Sequence, residues 1–413
     1  MMNNSKPMPS FGEFVALTAM MIALVALAID AMLPALPQIG QDLGVQRDNH
    51  NQLIISLLFV GLAVGQMLYG PASDSTGRKP AIYAGFGLLI IGCLLSLFAT
   101  SFPMMLAGRV IQGVGVAGPR IVTVAIVRDR YKGREMAQVM SFVMAVFILV
   151  PMIAPSFGQG IILFAGWRAI FAAYLGLVLI VLVLFAFRQP ETLAPNQRLP
   201  FSITRIVMGV REVFATRIAI GYTMAAGLIF GAFLGYLNTA QQMFQEQYGL
   251  GKLFPLFFGI LAASFGGASV LNARLVMRHG MRRLTTLSSL TIGAFSTVFF
   301  AIAYLQAGQP PLWALMAFFL IVFFCIGLLF GNLNALAMEP LGHIAGVGAA
   351  VVGALTTTIS LLLGILIGQS YNGTVLPLVG GFGVLSLASA AAMRWAEYKR
   401  SVAQTVSCTS AKE

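Results

Sequence analysis

Two side chains of opposite charge stand in apolar surroundings, where charge is most costly. Asp30 lies inside an apolar run from about Phe14 to Leu36, and Arg109 lies inside another from about Met104 to Val127. A charged group in hydrocarbon needs a cavity or a partner, so such residues point to function before structure. At 1.5 Å per residue Asp30 is about 24 Å from one end of its run, and Arg109 about 8 Å from the opposite end of its own. In a core about 30 Å thick these are similar depths, so the two are expected to face each other. The chemistry such a pair points to is a proton or substrate role: a carboxyl can take up and release a proton, and a guanidinium balances it when ionised. A fixed ion bridge is the plainer reading, but desolvation offsets much of the Coulomb gain of a buried pair.

A second group of chemical residues forms a polar island, Gly70-Pro71-Ala72-Ser73-Asp74-Ser75-Thr76-Gly77-Arg78-Lys79-Pro80, between two apolar runs. Asp74 follows the end of one run, Gly77 permits a turn that a Cβ would resist, and Arg78 opens the next run. The island reads as a hinge between two membrane helices. Farther on, Pro151, Pro155, Gly158 and Gly160 sit in one run, where the prolines kink a helix and the glycines admit a close neighbour.

The elements that carry these residues follow from composition. The chain has 413 residues, 58% hydrophobic and only 9% charged, and a mean hydropathy of +0.88, values that exclude a water-soluble domain. Twelve apolar runs of about 20 residues give an all-α membrane protein of twelve transmembrane helices. With both ends placed in the cytoplasm, the outside loops hold only Arg47, Arg168 and Lys252, while the other loop and terminal cations fall inside. The +12 net charge is thereby explained without a nucleic-acid partner. The expected division is an N-terminal bundle over 1–187, a cytoplasmic linker over 188–217 and a C-terminal bundle over 218–413.

The second half echoes the polar island weakly. Gly280 and Arg282-Arg283 keep its order, but Met277 stands where the acid would be. With few intramembrane charges there, Asn238, Gln241, Asn332 and Asn334 join Gln112 as candidates for uncharged contact with a substrate. Buried amides also bind helices together, which is the alternative for each. Arg120, deep in the fourth run, is expected to snorkel to the cytoplasmic surface.

These stretches together resemble the drug:proton antiporters of the major facilitator superfamily, most closely the Bcr/CflA-type bicyclomycin and chloramphenicol resistance exporters. The resemblance rests on Ile29-Asp30-Ala31-Met32-Leu33-Pro34, the Asp74 to Lys79 loop, Arg109 to Gly113, Ala125 to Asp129, Pro151 to Gly160 and Gly166 to Phe171. It implies two six-helix bundles and proton-coupled export of drugs or other amphipathic molecules across the bacterial inner membrane by alternating access. It further implies proton coupling at Asp30 and Arg109, an antiporter motif at Pro151 to Gly160, and gating at Asp74, Gly77, Arg78 and Asp129, whose charges form a latch. Export of a specific metabolite is the alternative, and a membrane receptor or enzyme is a more distant one. No Walker loop, nucleophile elbow or metal-ligand cluster occurs in the sequence, so no catalytic residue, cofactor or metal is expected. The expected partners are small molecules, protons and the lipid bilayer, with the chain acting as a monomer.

Overall fold

The structure, a computed structural model, describes residues 9–410. Its helices are α1 (Phe11–Asp30), α2 (Leu36–Asp42), α3 (Leu53–Thr76), α4 (Arg78–Leu97), α5 (Phe102–Arg130), α6 (Gly133–Ala165) and α7 (Arg168–Arg188). They continue with α8 (Ile203–Ala215), α9 (Arg217–Gln241), α10 (Phe254–His279), α11 (Met281–Leu305), α12 (Leu312–Met338), α13 (Ala345–Gln369) and α14 (Leu376–Ser410). Among the described residues, 11 helical stretches are long and apolar enough to cross a membrane. One of them, Leu312–Gln369, holds α12 and α13 in succession, so every expected span has its helix. Among the described residues there is no strand, as expected of an all-α membrane protein.

Local sequence explains the helix ends that matter. Ser10 starts α1 with a capping box, its hydroxyl accepting from the Glu13 N–H while Glu13 accepts from the Ser10 N–H at 3.1 Å. The helix stops at Asp30 because Pro34 lacks the N–H that the Asp30 carbonyl would otherwise receive, and Pro37 removes the next such donor. A 3₁₀ turn at Leu33–Ala35 bridges the gap before α2 resumes the same crossing. Gln242–Gln247, directly after α9, forms a π-helical turn.

The stretch expected as a linker contains more structure than its polarity suggests. A 3₁₀ turn covers Pro195–Gln197, and α8 fills most of the remainder. Ile203, Val207, Val210 and Phe214 recur at helical spacing, with Arg205 and Arg211 between them. Glu212 of α8 contacts the His343 ring within hydrogen-bond reach.

The chain divides into two compact units. One holds the chain up to Ile203 together with Leu237–Gly266; the other holds Thr204–Tyr236 and the chain from Gly267 onward. In the first, α3, α4 and α5 approach closely enough for backbone to touch backbone. A Cβ at Gly113 of α5 would overlap the Leu58 carbonyl of α3, and one at Gly115 would overlap the backbone of Leu89 on α4. Small residues permit this approach, which replaces the missing hydrophobic drive between helices in lipid with dense packing.

Gly113→Ala is expected to lower the melting midpoint of the purified protein in detergent, since overpacking costs about 1–3 kcal/mol. Gly87→Ala on α4, where an added Cβ meets nothing within 4 Å, is the control and should leave the midpoint unchanged or slightly raised.

Candidate functional site

The centre of the first unit is the place where α1 breaks. A helix leaves its last carbonyls without intrahelical donors. At the end of α1, Ala31 N–H reaches the Leu27 carbonyl at 3.3 Å, and the next carbonyl, that of Ala28, accepts from Arg109 Nη2 at 2.7 Å. Arg109 Nε donates to the Ile54 carbonyl of α3 at 2.9 Å, and Nη1 to Gln112 Oε1 at 2.6 Å. The guanidinium is fully buried and lies 6.0 Å from the Phe171 ring. Its positive charge faces the negative end of the α1 dipole, a favourable arrangement that requires no carboxylate.

This corrects the expected pairing. Asp30, 5% exposed, is on the same broken segment two residues past Ala28, but among the described residues no ion pair or hydrogen bond joins it to Arg109. Depth along a helix fixed the level of the two groups correctly. It could not reveal that the Ala28 carbonyl freed by the helix break, the Ile54 carbonyl of α3 and Gln112 would between them occupy all three guanidinium nitrogens.

The antiporter stretch bears on the same break. Pro151 and Pro155 lie inside the continuous helix α6, and a Cβ at Gly158 would overlap the Ala31 carbonyl. Gly158 thus lets α6 press against α1 one residue past Asp30. Gly160 has no such duty, with nothing within 4 Å of an added Cβ.

The Asp74 to Lys79 loop forms a dense polar cluster. Gly77 adopts φ +108°, a conformation strained for any residue with a Cβ, and its own Cβ would stand 2.7 Å from Glu191 Oε2. Arg78 Nη1 donates to Asp74 Oδ1 at 2.6 Å and to Ser73 Oγ at 2.9 Å, while Nε reaches Asp129 Oδ2 at 2.9 Å. All four expected gating residues therefore meet at one point. Glu191, which spacing did not single out, caps α4: its carboxylate accepts from the Arg78 and Lys79 N–H groups, each at 3.0 Å. Thr192 adds a bond from its hydroxyl to Asp129 Oδ2 at 3.0 Å. Their signal lay in Pro190-Glu191-Thr192 directly after α7, a short acidic element easily taken for part of a linker.

The second unit repeats this arrangement with different acids. Gly280 has φ +76°, and Arg282 pairs with Glu339 after α12 and with Glu397 of α14, the latter at 2.8 Å. Tyr222 Oη donates to the same Glu397 oxygen at 3.0 Å. The loop was expected to be degenerate because Met277 replaces its acid. Met277 is indeed exposed, and the charge balance comes from residues distant in sequence.

The amide candidates have separate fates. Gln112 binds Arg109, and its Nε2 contacts Cys93 Sγ at 3.4 Å. Asn238, within the part of α9 belonging to the first unit, accepts from Ser56 Oγ at 3.2 Å. Gln241 donates to Gln245 and Glu246. Asn332 bonds Asn272 Oδ1 at 2.7 Å, and Asn334 is exposed. Arg120 is half-buried and lies ten residues, a rise of about 15 Å, before the end of α5 at Arg130.

The family model of the Major Facilitator Superfamily matches residues 18–367. The chain belongs to that superfamily. It is 28% identical over 380 residues to the Bicyclomycin resistance protein homolog of Haemophilus influenzae, covering 90% of this chain and 92% of that protein. It is 26% identical over 378 residues to the Multidrug resistance protein MdtL of Salmonella paratyphi A, covering 87% and 92%. In fold it is similar to a D-xylose-proton symporter, with a TM-score of 0.72 at 16% identity over 93% of this chain and 97% of that one. As a member of this superfamily the protein is a multi-pass membrane transporter of small molecules, not an enzyme.

In such a transporter, the cluster at Gly77 should affect rate more than affinity, since its residues lie at helix ends, far along α3 and α5 from Asp30. Arg78→Ala and Glu191→Ala are each expected to lower turnover severalfold while leaving substrate binding within about twofold. Paired measurements of transport and equilibrium binding check this; weakened binding at unchanged turnover would refute it.

Proposed function

We propose that this protein is a proton-coupled exporter of drugs or other amphipathic small molecules. It works by alternating access in a bacterial inner membrane, as a monomer with both termini cytoplasmic. The observation that carries the reading is Asp30: a buried carboxyl at a helix break, with no ion pair or hydrogen bond among the described residues. A carboxyl tied into a permanent salt bridge is poorly suited to exchanging a proton in each cycle. Asp30 has the opposite arrangement, because Arg109 is stabilised by backbone and amide oxygens instead.

The named relatives support the substrate class, since one is a bicyclomycin resistance homologue and another a multidrug resistance protein. The resemblance to Bcr/CflA-type exporters points the same way. In this reading Asp30 carries the proton and Arg109 secures the broken end of α1. Pro151, Pro155 and Gly158 keep α6 against that break. Asp74, Gly77, Arg78 and Asp129 latch one state of the cycle, and the halves 1–187 and 218–413 are the moving bodies. Asn238, Gln241, Asn332 and Asn334 remain proposed contacts for uncharged groups of the substrate.

Asp30→Asn is nearly isosteric and cannot titrate. It should abolish proton-driven transport of chloramphenicol or bicyclomycin in inverted membrane vesicles while the purified variant elutes and melts as the wild type does. Transport at the wild-type rate in that variant would remove Asp30 from coupling.

A further inference from the structure

Arg120 is the embedded cation for which neither packing nor gating accounts. It follows Arg109 by eleven residues on α5, which at 3.6 residues per turn is a rotation of about 20° from the same azimuth. Both therefore leave α5 on the side that packs into the first unit, where Thr123, three residues on, touches Met21 Sδ of α1 at 3.6 Å. The exposed positions of α5, Pro103, Ala107, Arg128 and Asp129, lie elsewhere on its circumference.

What separates Arg120 from its neighbours is the lack of a partner. Arg109 and Arg78 use all their nitrogens, but among the described residues the Arg120 guanidinium makes no hydrogen bond, ion pair or ring contact. An unmatched cation at this depth is costly, and by default it marks a site for a counter-charge supplied from elsewhere. Its half-buried state leaves it reachable.

The opposing wall fits an amphipathic ligand. Helices α1 and α5 run antiparallel, with Ala28 at Arg109 and Met21 at Thr123, so Arg120 faces the part of α1 near Met21 to Leu24. Asp30 lies about 10 Å farther along α1. Between Leu17 and Met32, Met20 and Leu27 alone are half-buried rather than buried, and their seven-residue spacing puts them on one face, about a quarter-turn from the Met21 and Ala28 side that meets α5.

We propose that Arg120 binds the acidic group of an organic anion, a compound with an apolar body and a sulfonate, carboxylate or comparable oxyanion. The apolar body would lie along Met20 and Leu27, leaving Asp30 free for its proton. The planar guanidinium suits such a group because it can donate two parallel bonds to it. This deepens the export reading by naming the substrate class, and it rests on that reading.

The test uses two matched probes, 2-naphthalenesulfonate, which is anionic, and 2-naphthalenesulfonamide, which is neutral near pH 7. Purified full-length protein in a neutral detergent is treated with phenylglyoxal, and labelling is quantified at each arginine by mass spectrometry. Arg120 should be modified while Arg109 is spared, and the sulfonate should protect Arg120 at a concentration at least tenfold below that needed of the sulfonamide. Equal protection by both probes, or absence of labelling at Arg120, would overturn the proposal. Protection by added phosphatidylglycerol without protection by the sulfonate would also overturn it, by assigning Arg120 to a lipid headgroup.

In inverted vesicles, Arg120→Gln should reduce sulfonate transport more than tenfold and chloramphenicol transport less than twofold, with Arg120→Lys intermediate. An equal loss of both compounds means a structural role and refutes the idea. A wild type that moves chloramphenicol on a proton gradient but ignores the sulfonate refutes this inference alone, and leaves proton-coupled export in place.

Discussion

The bond from Arg109 to the Ala28 carbonyl is the interaction on which the first unit depends. Pro34 ends α1 inside the apolar zone, and a helix terminus exposed there would leave carbonyls that neither lipid nor packing could satisfy. Arg109 fills that need from α5 while its Nε holds α3 through Ile54. One guanidinium thus ties three helices together two residues before the acid. The close approach that makes its reach sufficient comes from Gly113 against Leu58, so a cation and a glycine on α5 and a proline just past α1 form one mechanical element.

The crossings and their order were legible because each depends on a local property, about 20 apolar residues between polar ends. The Arg78 cluster was legible for a similar reason, with Asp74, Gly77 and Arg78 inside five residues and Asp129 at a marked helix end. What escaped was non-local. Nothing in the spacing of Glu191 declares that it caps α4, and nothing near Met277 declares that Glu339 and Glu397 balance Arg282. The Asp30 and Arg109 partnership was misjudged because two residues at equal depth can lie on adjacent helices and still be satisfied by different atoms.

The two polar clusters show that an internal repeat can persist in charge balance after it has faded in sequence. Arg78 is held by an acid at the end of α5 and by one four residues before it; Arg282 is held by acids after α12 and on α14. A turn glycine with positive φ precedes the following helix in both cases. The constraint retained is a guanidinium neutralised beside a sharp helix-to-helix turn, and the positions supplying the acids have drifted. For a basic chain with few acids this economy matters, since an unbalanced arginine at a helix junction would favour water over packing.

The bonds within the first unit also differ in how readily they can be exchanged. Leu237–Gly266 joins that unit through uncharged pairs: Ser56 with Asn238, Gln52 Nε2 to Gln242 Oε1 at 2.6 Å, and Gln242 Nε2 to Asn49 Oδ1 at 3.0 Å. Each such bond contributes about 0.5–1.5 kcal/mol net, and amides can take up water or other amides in its place. The contact of Gly113 with Leu58 has no comparable substitute, because separating those backbones opens a void that neither lipid nor water fills well. The contacts that join Leu237–Gly266 to the rest of the first unit are of the first, exchangeable kind, and the one that holds α3 against α5 is of the second. The π-helical turn at Gln242–Gln247 lies at the junction joined by amides, where an irregular backbone adds to the ease of rearrangement.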